Sequence, residues 1–118
     1  MKKLKYLFAL IFTIIITATL YFGIRFAVAE YNFRQSLKSS SPQEIYQSQQ
    51  KAIKLAPIID YYHRYFSQTS LALADSQIKE DSPSAEQKKT VANLITQAIE
   101  EAKTAVSLSS NSQNFENL

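Results

Sequence analysis

The sequence predicts an all-α fold in which a single transmembrane helix precedes a small domain of helical hairpins. An uncharged apolar segment of nineteen residues occupies positions 6–24. The 118 residues include one glycine and three prolines, which leaves little material for the tight turns of a β-rich fold. Beyond the segment, apolar residues recur at three- and four-residue steps, which is the period of amphipathic helices.

The apolar segment at 6–24, which we call the span, has the length and flanking residues of a membrane-crossing helix. At ~1.5 Å per residue its helix measures ~28 Å, close to the ~30 Å thickness of the hydrocarbon. Lys5 and Arg25 bracket the span, where long basic side chains can reach the interface. We therefore assign residues 1–29 to an N-terminal membrane anchor, with the lipid bilayer as its partner.

A cleaved signal peptide is the alternative for this segment. The start is basic, and Ala27-Val28-Ala29 has the small-x-small form of a cleavage site. However, the apolar segment is longer than the ~7–15 residues of an ordinary signal core. Arg25 and Phe26 also place a charge and a bulky ring between this segment and the cleavage site. We expect an uncleaved anchor.

The basic residues near the span predict its orientation. Lys2, Lys3 and Lys5 cluster before the span, whereas Arg25 and the bases beyond it are more spread out. Because basic residues favour the cytoplasmic side, we expect a cytoplasmic N-terminus and a helical domain outside.

The remaining chain divides into a stalk and a helical domain. Residues 30–40 are predicted to form a juxtamembrane stalk that continues the membrane helix to Leu37. Residues 41–118 form the domain, with predicted helices at 41–56, 58–78 and 84–108 and a polar, turn-rich stretch at 107–114.

Two serine-proline pairs predict where these helices begin. Ser41 precedes Pro42, and Glu44 stands where it could close a capping box with Ser41. Ser82 and Pro83 give the same signal before the last helix.

The charge distribution argues against a nucleic-acid partner. Residues 1–29 hold four bases and no acid, which gives +4, and residues 30–118 hold nine bases and ten acids, which gives −1. The total of +3 therefore arises at the ends of the span, and the domain has no basic stripe.

Few residues could carry chemistry. The chain has no cysteine, and His63 is its one histidine, so neither a thiol nucleophile nor a metal-ligand pattern is present. His63 could act as a general base oriented by Asp60, but a packing or surface histidine with a local carboxylate is the simpler interpretation. We expect no catalytic, cofactor-binding or metal site.

Two phrases share a pattern of alanine, aliphatic residue, any residue, leucine and a turn. In the first, Ala52 lies five residues before Pro57; in the second, Ala105 lies five residues before Ser110. Phe115 and Leu118 follow with the spacing of a W-x₂-L motif. These residues resemble tetratricopeptide repeats, which implies stacked helical hairpins, with the domain truncated at its C-terminus.

The arrangement of the whole chain also resembles the last membrane helix and C-terminal repeats of bacterial O-antigen ligase and polymerase-like membrane proteins. The similar phrases lie at 29–33, 51–57, 60–64, 71–74 and 115–118. The polytopic part that holds such a ligase's catalytic residues has no counterpart here, so the resemblance implies no catalytic residue in this chain.

Three functions follow as hypotheses. The first is a membrane-anchored tetratricopeptide-like module that binds a protein or peptide, without an enzymatic activity or a small-molecule cofactor. The aromatic run of its second domain helix is the candidate partner groove, with core packing as the alternative role; the groove residues are Tyr61, Tyr62, His63 and Tyr65. The second hypothesis is an accessory C-terminal part of a ligase-like glycan-assembly enzyme. The third is a purely structural anchor or stalk in a homo-oligomer.

Overall fold

The computed structural model describes residues 2–78 and 84–116, and over these ranges the chain is helical without a strand. The helices are α1 (Lys2–Lys38), α2 (Pro42–Leu55), α3 (Asp60–Ile78) and α4 (Ala85–Glu116). The all-α prediction is confirmed.

Helix α1 contains the span and is exposed along it. Among the described residues, α1 is the one helix long and apolar enough to cross a membrane, and none of its most apolar window is buried. The span's threonines are accommodated locally: Thr13, Thr17 and Thr19 each donate a 2.8 Å hydrogen bond to the carbonyl oxygen four residues earlier.

The last three turns of α1 belong to the domain core. Ala29, Phe33 and Ser36 are all buried there. The segment at 30–40 was expected to be a separate stalk, but part of it packs against α2 and α3 instead. The reason is that apolar residues continue beyond the span at three- and four-residue steps, so one face of α1 remains apolar.

Helix α2 begins where the sequence indicated, but its cap differs from the prediction. Ser41 is the N-cap with Pro42 directly after it, and its side chain makes no capping hydrogen bond. Glu44 instead accepts a 2.8 Å hydrogen bond from the Ser39 hydroxyl. The predicted capping box is therefore absent, because Ser39 takes the carboxylate that would close it.

Helices α3 and α4 form an antiparallel hairpin. Near its middle, the Ser67 hydroxyl donates a 2.7 Å hydrogen bond to the carbonyl oxygen of Ala98. Helix α4 starts with a reciprocal cap: the Ser84 amide donates to Gln87 Oε1 at 2.7 Å, and the Gln87 amide donates to Ser84 Oγ at 3.1 Å. The predicted N-cap pair, Ser82 and Pro83, lies outside the described residues.

Helix α4 is longer than predicted. It continues unbroken to Glu116, through the stretch at 107–114 where turns were expected. Serine and asparagine have only modest helix propensity, but this stretch contains no glycine or proline to end the helix. The prediction of turns was wrong because it relied on polar composition alone.

Candidate functional site

Three of the four predicted groove residues of α3, its tyrosines, pack around Phe33 of α1. The Phe33 ring centroid lies 5.3 Å from that of Tyr61, 4.8 Å from that of Tyr62 and 5.3 Å from that of Tyr65. Tyr62 is fully buried, Tyr61 is half-buried and Tyr65 is 42% exposed. Tyr62 is therefore a core residue and offers no surface to a partner.

A single carboxylate anchors two of these tyrosines to α1. Glu30 Oε2 accepts hydrogen bonds from the Tyr62 hydroxyl at 2.6 Å and the Tyr61 hydroxyl at 2.7 Å. Glu30 also pairs with Arg34 at 3.3 Å. The cluster ties the first turns of α3 to α1 just beyond the span.

These contacts shift the ionisation of all three groups, which lie outside the span. The hydrogen bond from Tyr62, followed by that from Tyr61, lowers the pKa of the Glu30 carboxyl below its ordinary value. Burial, followed by the hydrogen bond to Glu30, raises the pKa of both Tyr61 and Tyr62. The structure therefore favours an ionised Glu30 between two neutral phenols.

His63 bridges three elements from a buried position. It is 5% exposed, its Nδ1 contacts the Glu101 carboxylate of α4, and its Nε2 lies 2.6 Å from the carbonyl oxygen of Pro57. Asp60, the partner considered from the sequence, instead pairs with Arg64 at 3.3 Å. Because both ring nitrogens are occupied by these contacts, His63 is part of the packing and does not line an open groove.

The repeat-like residues differ in their structural roles. Ala52 and Ala105 are buried, and Pro57 follows the end of α2. The turn expected at Ser110 is absent, because α4 continues through it. Phe115 belongs to the same helix, so the first helix of a further repeat does not begin there, and Leu118 lies outside the described residues.

A groove between α3 and α4 was not predicted. It has a volume of 480 Å³, and its lining includes Asp60, Arg64 and Gln68 on one side and Val106 and Ser109 on the other. The sequence pattern does not indicate this groove, since four of these five lining residues are polar.

Helix α4 carries two apolar faces. The inner face packs on α3 through Leu94, Ala98 and Ala105, which are at most 7% exposed. The outer face, which we call the α4 stripe, is exposed: Ile95 by 38%, Ile99 by 51% and Val106 by 66%, with the exposed Ala102 between them.

The described residues contain no group of three or more His, Asp or Glu side chains that could hold a metal ion. No protein-family profile matches the chain, and no curated protein or solved structure is significantly similar to it.

Proposed function

We propose that this chain is a single-pass membrane protein whose helical domain binds an amphipathic helix of a protein partner on the α4 stripe (Ile95, Ile99, Ala102 and Val106). The observation that supports this proposal is the second apolar face of α4, which remains exposed after α3 has covered the first. A helix on the surface of a domain ordinarily needs only one apolar face.

The spacing of the stripe fits a helical occupant. Its residues follow one another at steps of four, three and four, so they form a continuous row along one side of α4. A partner helix recognises such a row through anchors at i, i+3, i+4 and i+7. Near the row lie one negative and one positive side chain, Glu100 and Lys103, which are 67% and 72% exposed.

The order of the helices gives further support to a tetratricopeptide-like role. Helices α1 and α2 form one hairpin, and helices α3 and α4 form the next. The first helices of the two hairpins, α1 and α3, meet where Phe33 contacts the tyrosines of α3. In a stack of such hairpins, the face of the last helix is covered by the helix that follows it. We propose that a helix of the partner takes this place.

Photo-crosslinking tests the proposal in native membranes. Benzoylphenylalanine at Ile99 or Val106 is expected to capture one defined protein, and the same probe at Leu71, a 49% exposed apolar position on α3, is expected not to. The added substitution Ile95→Glu should abolish the capture. A product that contains only two copies of this chain would instead indicate a homo-oligomer and would contradict a separate partner.

The proposed orientation has its own test. Because the chain lacks cysteine, Lys103→Cys introduces a single thiol in the domain, and Lys3→Cys introduces one before the span. A maleimide that does not cross membranes is expected to label the first variant in intact cells and the second only after lysis. The reverse pattern would place the domain in the cytoplasm.

A further inference from the structure

The turn between α2 and α3 lies at the end of the span. Arg25 directly follows Ile24, the last residue of the span. Its Nε donates a 2.6 Å hydrogen bond to the carbonyl oxygen of Leu55, and its Nη2 donates a 2.9 Å hydrogen bond to that of Lys54. These contacts hold the C-terminal end of α2 within one side-chain length of α1, at the level where the span ends.

We infer that the α2–α3 turn docks on the lipid surface, with the Ile58 side chain inserted into the interface and Lys54 directed to the lipid phosphates. This inference rests on the part of the proposed function in which α1 crosses a membrane. It adds a second contact with lipid, made by the domain itself.

The exposed chemistry of the turn suits an interface. Ile58 is 65% exposed, and it follows the exposed Pro57. Lys54 is exposed on the last turn of α2, and Lys51 is exposed on the turn before it. An apolar side chain beside basic ones is the combination that binds at the boundary between headgroups and acyl chains. Each ammonium near an anionic surface adds to the attraction.

A neighbouring contact also places the turn at the level of the lipid headgroups. The exposed Tyr21 accepts, through its hydroxyl oxygen, a 3.0 Å hydrogen bond from Arg25 Nη1. Tyrosine and arginine at the end of a membrane helix mark the headgroup level. Because Arg25 contacts both Tyr21 and the end of α2, the turn shares this level with them.

Continuity with the span selects lipid over other occupants. Lipid that surrounds the exposed side chains of the span reaches the level of Arg25 without any further partner, and the turn adjoins it there. A second copy or a soluble protein at the turn would have to displace that lipid.

Single tryptophans test the inference, because the chain contains none. Three variants of the full chain are needed: Ile58→Trp in the turn, Phe12→Trp in the span, and Ile78→Trp at the far end of α3. The three positions are 65%, 65% and 56% exposed, so each should tolerate the change. Each variant is reconstituted singly into nanodiscs of phosphatidylcholine and phosphatidylglycerol, with bromines near the headgroup end of the acyl chains, with bromines deep in the chains, or without bromine.

We expect shallow bromines to quench the tryptophan fluorescence of the Ile58→Trp variant at least twofold more than that of the Ile78→Trp variant. We also expect iodide in the water to quench the fluorescence of the Ile58→Trp variant less than that of the Ile78→Trp variant. Equal quenching of these two variants would overturn the inference, provided that deep bromines quench the Phe12→Trp variant.

Two further outcomes separate the possible causes of failure. Fluorescence of the Ile58→Trp variant that is shielded from iodide but not quenched by brominated lipid would indicate a protein occupant, and it would also overturn the inference. Absence of quenching in the Phe12→Trp variant would instead refute the membrane span, and with it the part of the proposed function on which the inference rests.

Discussion

The imidazole of His63 on α3 contacts the carboxylate of Glu101 on α4, and the two side chains are only 6% and 20% exposed. The other ring nitrogen of His63 lies against the Pro57 carbonyl oxygen, so one side chain joins α3, α4 and the turn after α2. The bridge thereby links segments that are far apart in the sequence.

Loss of the Glu101 carboxylate should destabilise the domain. Glu101→Ala leaves Nδ1 of His63 buried without a partner, which costs about 1–3 kcal/mol of unfolding free energy. The matched control is Glu100→Ala, which removes only a 3.9 Å pair with Lys103 between exposed side chains and should cost less than about 0.5 kcal/mol. Thermal unfolding of the full chain in detergent, followed by circular dichroism, measures both. Equal losses for the two variants would refute the bridge.

Arg25 should stabilise the end of α2. Its guanidinium donates to two carbonyl groups that have no partner within the helix, and its charge complements the negative end of the helix dipole. We expect Arg25→Gln to cost about 1–2 kcal/mol. Arg25→Lys keeps the charge but not the fork of donors, so it should recover only part of the loss. Hydrogen exchange of the amides at 52–56 should accelerate in the order wild type, Lys, Gln. An unchanged rate in the Gln variant would contradict this role.

The Glu30 cluster predicts a loss of stability in acid. Because the folded-state pKa of Glu30 lies below its ordinary value of 4.5, its contribution is present above about pH 4.5 and is lost as the pH falls through the lowered value. Glu30→Gln should be less stable at pH 7 and should show a flatter decline below pH 4.5. Unfolding free energies measured from pH 7 to pH 3 test this prediction. Parallel curves for the two proteins would argue against it.

The same cluster predicts a loss of stability in alkali. The folded-state pKa values of Tyr61 and Tyr62 lie above the ordinary 10.0, so their contribution is full below pH 10 and is lost as the pH rises further. Absorbance at the wavelength of tyrosinate should show that these two phenols ionise only as the domain unfolds.

Removal of single phenols identifies the groups in this alkaline titration. Tyr62→Phe should diminish the rise in absorbance that accompanies unfolding. Tyr31→Phe, which removes a 63% exposed phenol, is the control and should leave that rise unchanged. If the domain stays folded while the Tyr62 phenol ionises near pH 10, the prediction is wrong.

A buried amide offers a stabilising substitution. Gln49 is 2% exposed, and its Oε1 has no hydrogen-bond partner among the residues that the structure describes. Gln49→Met keeps a similar volume and removes the unpaired oxygen, so it should raise the unfolding free energy by about 1 kcal/mol. Gln47→Met, on the exposed side of α2, should change it by less than about 0.5 kcal/mol. A destabilised Gln49→Met variant would show that the amide has a structural role.

The sequence predicted those elements that depend on neighbouring residues, either within one helical turn or along one uninterrupted apolar run. The span follows from its uncharged residues, and the boundary between α2 and α3 follows from Pro57, which cannot continue a helix comfortably. The burial of Ala52 and Ala105 likewise follows from their place on apolar faces.

The contacts between helices could not be predicted in the same way. Glu101 lies 38 residues after His63, and Leu55 lies 30 residues after Arg25, so each pairing depends on how the helices pack. The sequence also does not separate the two apolar faces of α4, because adjacent stripes on one helix are indistinguishable until a neighbouring helix covers one of them.

In the proposed arrangement, in which α1 crosses a membrane, the unbroken course of α1 gives the surrounding lipid an influence on the domain. The helix passes from the span to Ala29 and Phe33 in the core without a joint. A membrane helix tilts when its apolar length exceeds the local hydrocarbon thickness. Since the core of the domain includes residues of the same helix, a change in the tilt of α1 reorients the entire domain. In that arrangement, bilayer thickness would set the angle and the height at which the α4 stripe meets its proposed partner.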